Sequence, residues 1–311
     1  MDFFLTLQNV SVLFLLIVIG YVVGKLNIVD EIGQKQLTQL ILKVTMPATI
    51  ILAMQIKLEK ERIETMLQIL LIMVICYVLI TLMAYFVTIQ YRLKDNQKDV
   101  HMVGLMLSNT SFMGYPIVLA LLGQEALFYA VIAGGLVFEI VSWTLGTMII
   151  GRTSQSTSSS SNIKKALLSP GVISIVIGLF FFLTQIQIPD PINSTMRMLG
   201  QISSPGAMLV VGLMLSRSNI KEALMNKTLY ITAAIKLVVT PVLILLTLRL
   251  LGITGIRQVI PVLMLAMPTA TYVAMFSANL GNDGKMASHL VFLTSLLSVL
   301  TIPIIASFVQ L

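Results

Sequence analysis

The sequence predicts an all-α polytopic membrane protein: ten transmembrane helices in a 5+5 inverted repeat, with helices 4 and 9 broken where they cross. Three observations carry that expectation. Hydrophobic residues make up 57% of 311 and only 11% are charged, too few charges to cover a soluble surface. Ten stretches approach the length of about 20 apolar residues that crosses a bilayer core. Two of them are interrupted by Pro, Gly and polar residues at matching places in the two halves, the pattern that marks a transporter binding site.

In order, the spans fall near 5–24, 35–56, 64–90, 101–122, 126–150, 165–186, 193–215, 228–251, 257–280 and 286–309. Span 1 lacks a basic start and a small-residue cleavage site, so it reads as a retained span and not as a signal peptide. Pro47 in span 2 and Pro205 in span 7 mark structural bends. Cys76 stands alone, which excludes an intrachain disulfide or a thiolate cluster and leaves a small buried hydrophobe. Thr153 to Ser161 is a polar, Ser-rich tether. The chain therefore divides into a first repeat over 1–151, a cytoplasmic linker over 152–162 and a second repeat over 163–311.

Sliding the sequence against itself by 158 positions aligns Ile17–Gly20 with Ile175–Gly178, Pro47 with Pro205, Leu105–Leu107 with Leu263–Leu265, and Leu122-Gly123 with Leu280-Gly281. Each copy holds five spans, so the second enters the membrane from the opposite side. The loops after the odd-numbered spans carry twelve Lys and Arg: Lys25, Lys35, Arg92, Lys94, Lys98, Arg152, Lys164, Lys165, Arg217, Lys221, Lys227 and Lys285. The other side carries six: Lys57, Lys60, Arg62, Arg197, Arg249 and Arg257. This bias puts the odd loops in the cytoplasm and both termini outside, at the plasma membrane. The net charge of +7 is thus topogenic. Without aromatic interleaving, it does not point to nucleic acid.

The residues inside the spans carry the chemistry. Polar, broken backbone at membrane depth must face protein or a wet cavity. In span 4 the break runs through Ser108, Asn109, Thr110 and Ser111 to Gly114, Tyr115 and Pro116. In span 9 it runs through Met267 and Pro268 to Thr269, Thr271 and Tyr272. Half-helix N-termini bring free N–H groups and a positive dipole end, which suit a carboxylate. The same hydroxyls could instead bond back to carbonyls and stabilise kinks. Tyr115 and Tyr272 line the site or pack beside it. Lys236, mid-span, caps carbonyls freed by a break or serves as a counter-charge. A buried ammonium costs at least about 2.5–3.5 kcal/mol, so it needs a partner. Glu139 is the one carboxylate well inside a span, and reads as a proton carrier or as the ion partner of Lys236. Lys43 lies near the end of span 2, where it can snorkel.

Enzyme chemistry finds little support. His101 and His289 are the only histidines, no acid pair suits magnesium, and neither His-Glu-x-x-His nor a Gly-rich phosphate loop is present. No cofactor or metal is expected.

Asn109-Thr110-Ser111-Phe112-Met113-Gly114-Tyr115-Pro116 resembles the N-T-x-x-M-G-x-P crossover signature of the auxin efflux carrier family, which includes plant auxin exporters and bacterial proteins labelled malate permeases. Lys236 to Pro241, Ala266-Met267-Pro268, Trp143 to Gly146, and the stretch from Leu280-Gly281 to Pro303 are similar to further motifs of that family. The resemblance implies a fold related to bile-acid sodium symporters. Spans 1, 2, 6 and 7 would form a scaffold and homodimer interface, and spans 3–5 and 8–10 the moving transport domain. Asn109 falls at the family position that contacts the substrate carboxylate, with Pro116 and Pro268 at crossover positions. Val273 stands where the plant carriers have a second crossover proline, and their long cytoplasmic loop is reduced here to the Ser-rich linker. The expectation is a secondary-type, elevator-like carrier of a small organic anion, malate-like or auxin-like. A sodium- or proton-coupled symporter and a transporter-fold receptor without flux are the alternatives.

Overall fold

The structure is a computed structural model that describes residues 3–153, 167–217 and 220–309. The linker over 152–162, apart from its first two positions, lies outside the described residues, as do Lys164 and Lys165. Among the described residues there are helices and one isolated antiparallel bridge, and no strand.

Several helices begin where the sequence supplies a cap. α1 (Phe3–Lys25) leads through a turn to α2 (Glu31–Leu40), whose N-cap Asp30 accepts from the Gly33 amide at 2.7 Å. A widened π-helical turn, Ile41–Thr45, joins α2 to α3 (Met46–Ala53). α4 (Lys60–Thr88) is the longest single helix. α5 (Asp95–Met106) stops abruptly, and the chain restarts through a π turn, Thr110–Gly114, into α6 (Tyr115–Tyr129). Helix resumes as α7 (Leu136–Val141) and α8 (Thr147–Gly151), each entered through a π turn. α9 (Pro170–Thr184) is capped by Ser169, which accepts from Val172. α10 (Asp190–Ser216) is followed by a short helix absent from the sequence expectation, α11 (Ile220–Met225). α12 (Lys227–Ala234), capped by Asn226, runs through a π turn into α13 (Thr240–Leu250). α14 (Ile256–Ala266), α15 (Thr271–Asn279) and α16 (Gly284–Phe308), capped by Asp283, complete the chain.

Three of the π turns stand just before Pro47, Pro116 and Pro241. Proline lacks an N–H and its ring collides with the carbonyl four residues back. Widening the helix by one residue relieves that collision. Gly123 is a different break. At φ 81° and ψ −171° it leaves the helical region inside α6, a conformation that glycine adopts without strain. It divides the helical run 110–151 where the sequence expects the loop between spans 4 and 5.

The molecule buries polar and charged groups within an apolar core and turns large apolar side chains outward. Asp99, His101, Asn109, Lys236 and Thr269 are at most 2% exposed, whereas Leu15, Leu71 and Leu79 on outward faces are 54–61% exposed. Six helical segments are long and apolar enough to cross a membrane, and shorter apolar helices accompany them. This is a multi-pass membrane protein. Inside a bilayer its outer leucines need no cover, but its buried polar groups need partners.

α1 lies almost backbone to backbone on α10. A Cβ on Gly20 would strike the Leu209 carbonyl, and one on Gly212 would strike the Ile17 carbonyl. Small residues let membrane helices approach this closely. The proline bends are tied together as well: Thr49, two residues past Pro47, has its hydroxyl 2.9 Å from the Ser203 hydroxyl, two residues before Pro205. Gly212→Leu should therefore destabilise the fold by about 1–3 kcal/mol through overpacking. Leu15→Ala on the outward face should leave the detergent melting temperature nearly unchanged; equal effects would refute the close approach.

Candidate functional site

The site begins with what happens when α5 and α14 end. Leu107 turns to extended backbone (φ −94°, ψ 113°). Met267 does the same (φ −63°, ψ 149°), as a residue preceding proline should. Each chain then runs extended for about three residues before helix restarts, and the two extended pieces pair antiparallel. The Asn109 amide donates to the Pro268 carbonyl at 2.7 Å, and the Ala270 amide donates to the Leu107 carbonyl at 2.9 Å. Ser108 and Thr269 face each other across this bridge.

Side chains complete the crossing. Thr269 donates from its hydroxyl to the Gly104 carbonyl at 3.0 Å, and its amide donates to the Thr294 hydroxyl at 3.2 Å. Ser108 donates to the Leu265 carbonyl at 3.3 Å. Lys236 reaches across from the π turn between α12 and α13. Its ammonium donates to the Leu105 carbonyl at 2.9 Å and to the Ser108 hydroxyl at 2.7 Å. It thus sits at the negative end of half-helix α5, where a cation is favoured. Of the two roles the sequence left open, its contacts are those of a carbonyl cap.

Above the crossing opens a cavity of about 1370 Å³. Its deep end is formed by the restarted helices, through Ser111, Tyr115, Thr271 and Tyr272, and by Glu139 and Trp143. Its other wall comes from α2, α3 and the end of α10, and Glu31, Lys35, Lys43, Arg217 and Lys285 also line it. The Glu139 carboxylate accepts from the Tyr272 hydroxyl and from the Trp143 indole N–H, each at 3.1 Å. Tyr272 belongs to an aromatic cluster with Phe138, Trp143 and Phe276, at centroid distances of 5.3, 6.2 and 5.5 Å.

The structure brings some sequence candidates together and separates others. Tyr115, Thr271, Tyr272 and Glu139 meet in the cavity wall. Asn109, Thr110 and Thr269 lie in the crossing itself, fully packed, and are not part of that wall. The Asn109 side-chain Nδ2 and the Thr110 hydroxyl are buried without a partner. Pro116 opens α6, and Gly114 packs against Met264 and Met267 of the other break. Glu139 and Lys236 do not pair with each other; each has its own neutral partners. His289 and Lys43 line the cavity, and Lys43 is bonded to Gln39. His101 is buried, with Nδ1 2.7 Å from the Thr232 hydroxyl.

The amides expected to be free are partly spent. Those of Asn109, Thr110, Thr269 and Ala270 are bonded within the crossing or to Thr294. The first amides of the restarted helices, at Ser111, Phe112, Thr271 and Tyr272, have no backbone acceptor among the described residues, as helix starts require. The positive ends therefore lie two residues further along than the Asn109 and Thr269 positions suggested. Sequence reasoning also missed Trp143 as a wall residue. Its spacing of four from Glu139 on one helical run was the available signal.

A family model described as "Membrane transport protein" matches residues 5–306. The match agrees with the resemblance carried by Asn109 to Pro116. An uncharacterized transporter of Methanocaldococcus jannaschii is 24% identical over 296 residues, covering 94% of this chain and 95% of that protein. An uncharacterized transporter of Methanothermobacter thermautotrophicus is 23% identical over 306 residues, covering 96% of each.

Trp143 is the only tryptophan in the sequence, so its fluorescence reports on the cavity alone. A ligand entering the deep end should shift or quench that emission saturably, and Trp143→Phe should abolish the signal. A bound ligand that leaves the emission unchanged would place binding elsewhere.

Proposed function

The chain belongs to the membrane transport protein family, and from that premise we propose that it is a secondary-type carrier of a small organic anion with a carboxylate, malate-like in the first instance. One observation carries this reading: two helix restarts, each with unbonded leading amides, converge on the floor of one cavity. Paired helix N-termini bind a carboxylate without formal positive charges. Tyr115, Thr271 and Tyr272 would contact it first. Asn109 and Thr110, with unpaired polar atoms just below, would engage it as the site closes. Lys35, Lys43, Arg217 and Lys285 would raise the local anion concentration at the cavity wall.

The architecture in this reading is ten spans in a 5+5 inverted repeat, at the plasma membrane, with both termini outside. Residues 1–151 and 163–311 are the two repeats, spans 1, 2, 6 and 7 the scaffold and homodimer interface, and spans 3–5 and 8–10 the moving domain. The cavity lies between those two groups, as an elevator-like carrier requires. Residues from the loops after spans 1, 7 and 9, Glu31, Lys35, Arg217 and Lys285, line it, so this conformation would be open to the cytoplasm. Movement of an anion outward down an inside-negative potential gains about 2.3 kcal/mol per charge per 100 mV and requires no coupling ion.

Proteoliposome counterflow with C3–C6 carboxylates and indole acids tests the reading. Asn109→Ala should cut flux about tenfold or more, the loss expected for one hydrogen bond to a charged group, about 1.5–3 kcal/mol, while the protein still folds. Binding without flux would instead identify a receptor.

A second reading, proton coupling, is favoured by one feature. Glu139 is a carboxyl that lines the cavity and rests between two neutral donors. If it carries a proton, Glu139→Gln should abolish pH-driven accumulation while leaving exchange at fixed pH. Accumulation that persists in the variant removes the proton role.

A further inference from the structure

We propose that the Lys236 ammonium is a tethered cation occupying a monovalent-cation site, so that the crossing needs no free sodium. The carrier reading enters only in what this implies for coupling. The site consists of the last carbonyls of α5 and the Ser108 hydroxyl, fully enclosed: Lys236 and Ser108 are 0% exposed. The ammonium contacts the Leu105 carbonyl at 2.9 Å and the Ser108 hydroxyl at 2.7 Å. Thr269 covers the next carbonyl, that of Gly104, at 3.0 Å. Among the described residues no carboxylate pairs with Lys236. The partners of its charge are therefore one helix-end carbonyl and a hydroxyl, neutral oxygens of the kind that bind sodium at broken helices.

The arrangement is one-sided. At the other break, the Leu265 carbonyl receives a hydroxyl from Ser108 and no cation. Counting back by the repeat interval of 158, the position matching Lys236 is Val78, 55% exposed on an outward face. Among the described residues, only α5 of the two interrupted helices has a charge brought to its negative end. The π turn Ile235–Val239, just before Pro241, presents Lys236.

Removing the ammonium while leaving space should turn the tether's place into an ordinary ion site. The test is thermal melting of purified protein in sodium, potassium or choline chloride at equal ionic strength. The native chain should melt at one temperature in all three. Lys236→Ala and Lys236→Ser should melt lower in choline, and sodium or potassium should restore at least half of that loss, saturably, as a ligand binding only the folded state does. Lys236→Met, which refills the space with an apolar chain, should melt lower and show no recovery, and Lys236→Arg should need no cation. Adding Ser108→Ala to Lys236→Ala should remove the recovery. Equal melting of Lys236→Ala and Lys236→Ser in all three salts overturns the proposal, as does failure of both to fold in any salt. Sodium-specific stabilisation of the native chain would overturn it too. No flux is read, so the outcome stands apart from the carrier reading. In vesicles, Lys236→Ser should then make flux dependent on the restoring cation.

Discussion

A backbone amide or carbonyl released inside a bilayer has no water to turn to. Everything distinctive in this fold follows from how two such releases are answered. The chain leaves helical geometry at Leu107 and again at Met267, and each extended piece donates to the other: Asn109 to Pro268, Ala270 to Leu107. Neither break could exist alone at this depth, because each would bury groups costing several kcal/mol apiece. The crossing is a mutual solution, and it fixes the relative position of α5, α6, α14 and α15 to within hydrogen-bond tolerance.

Three further features are consequences. The C-terminal carbonyls exposed by the α5 break are covered by Thr269 and by the Lys236 ammonium, which explains why so costly a residue is kept at full burial. The restarted helices have leading amides without backbone acceptors, and residues of both, Ser111, Tyr115, Thr271 and Tyr272, line the same cavity. Pro268 lies in the crossing itself, whereas Pro116 and Pro241 act a step away from it. Pro116 and Pro241 sit just after π turns in continuing helix, where the wider turn relieves the collision of the ring with the carbonyl four residues back.

The cavity joins two kinds of surface. Its floor belongs to the crossing, held by hydrogen bonds. Its opposite wall belongs to α2, α3 and α10, held by the glycine contact of α10 with α1 and by the Thr49–Ser203 contact. A floor and a wall bonded in these different ways are what the proposed carrier would move past one another. Glu139 and Trp143 stand on the floor side with Tyr272.

Much of this was legible in the residues. Long apolar stretches give helices because a membrane leaves the backbone no other way to bond itself. The interruptions at Ser108–Pro116 and Met267–Tyr272 are visible as polar and cyclic residues in oily surroundings. Gly123 between two apolar runs reads as the turn that it is. What the sequence could not decide was partnership. Lys236 and Glu139 were one candidate ion pair by chemistry, and only the three-dimensional path of α12 and α13 brings Lys236 to Leu105 and leaves Glu139 with Tyr272 and Trp143. Nor could spacing tell that Asn109 and Thr269 lie in the crossing while Ser111 and Thr271 reach the cavity. Local sequence sets where a chain must break, since that depends on bonds to residues a few positions away. Which atoms answer the break depends on groups more than a hundred positions distant, and that is decided only when the helices pack.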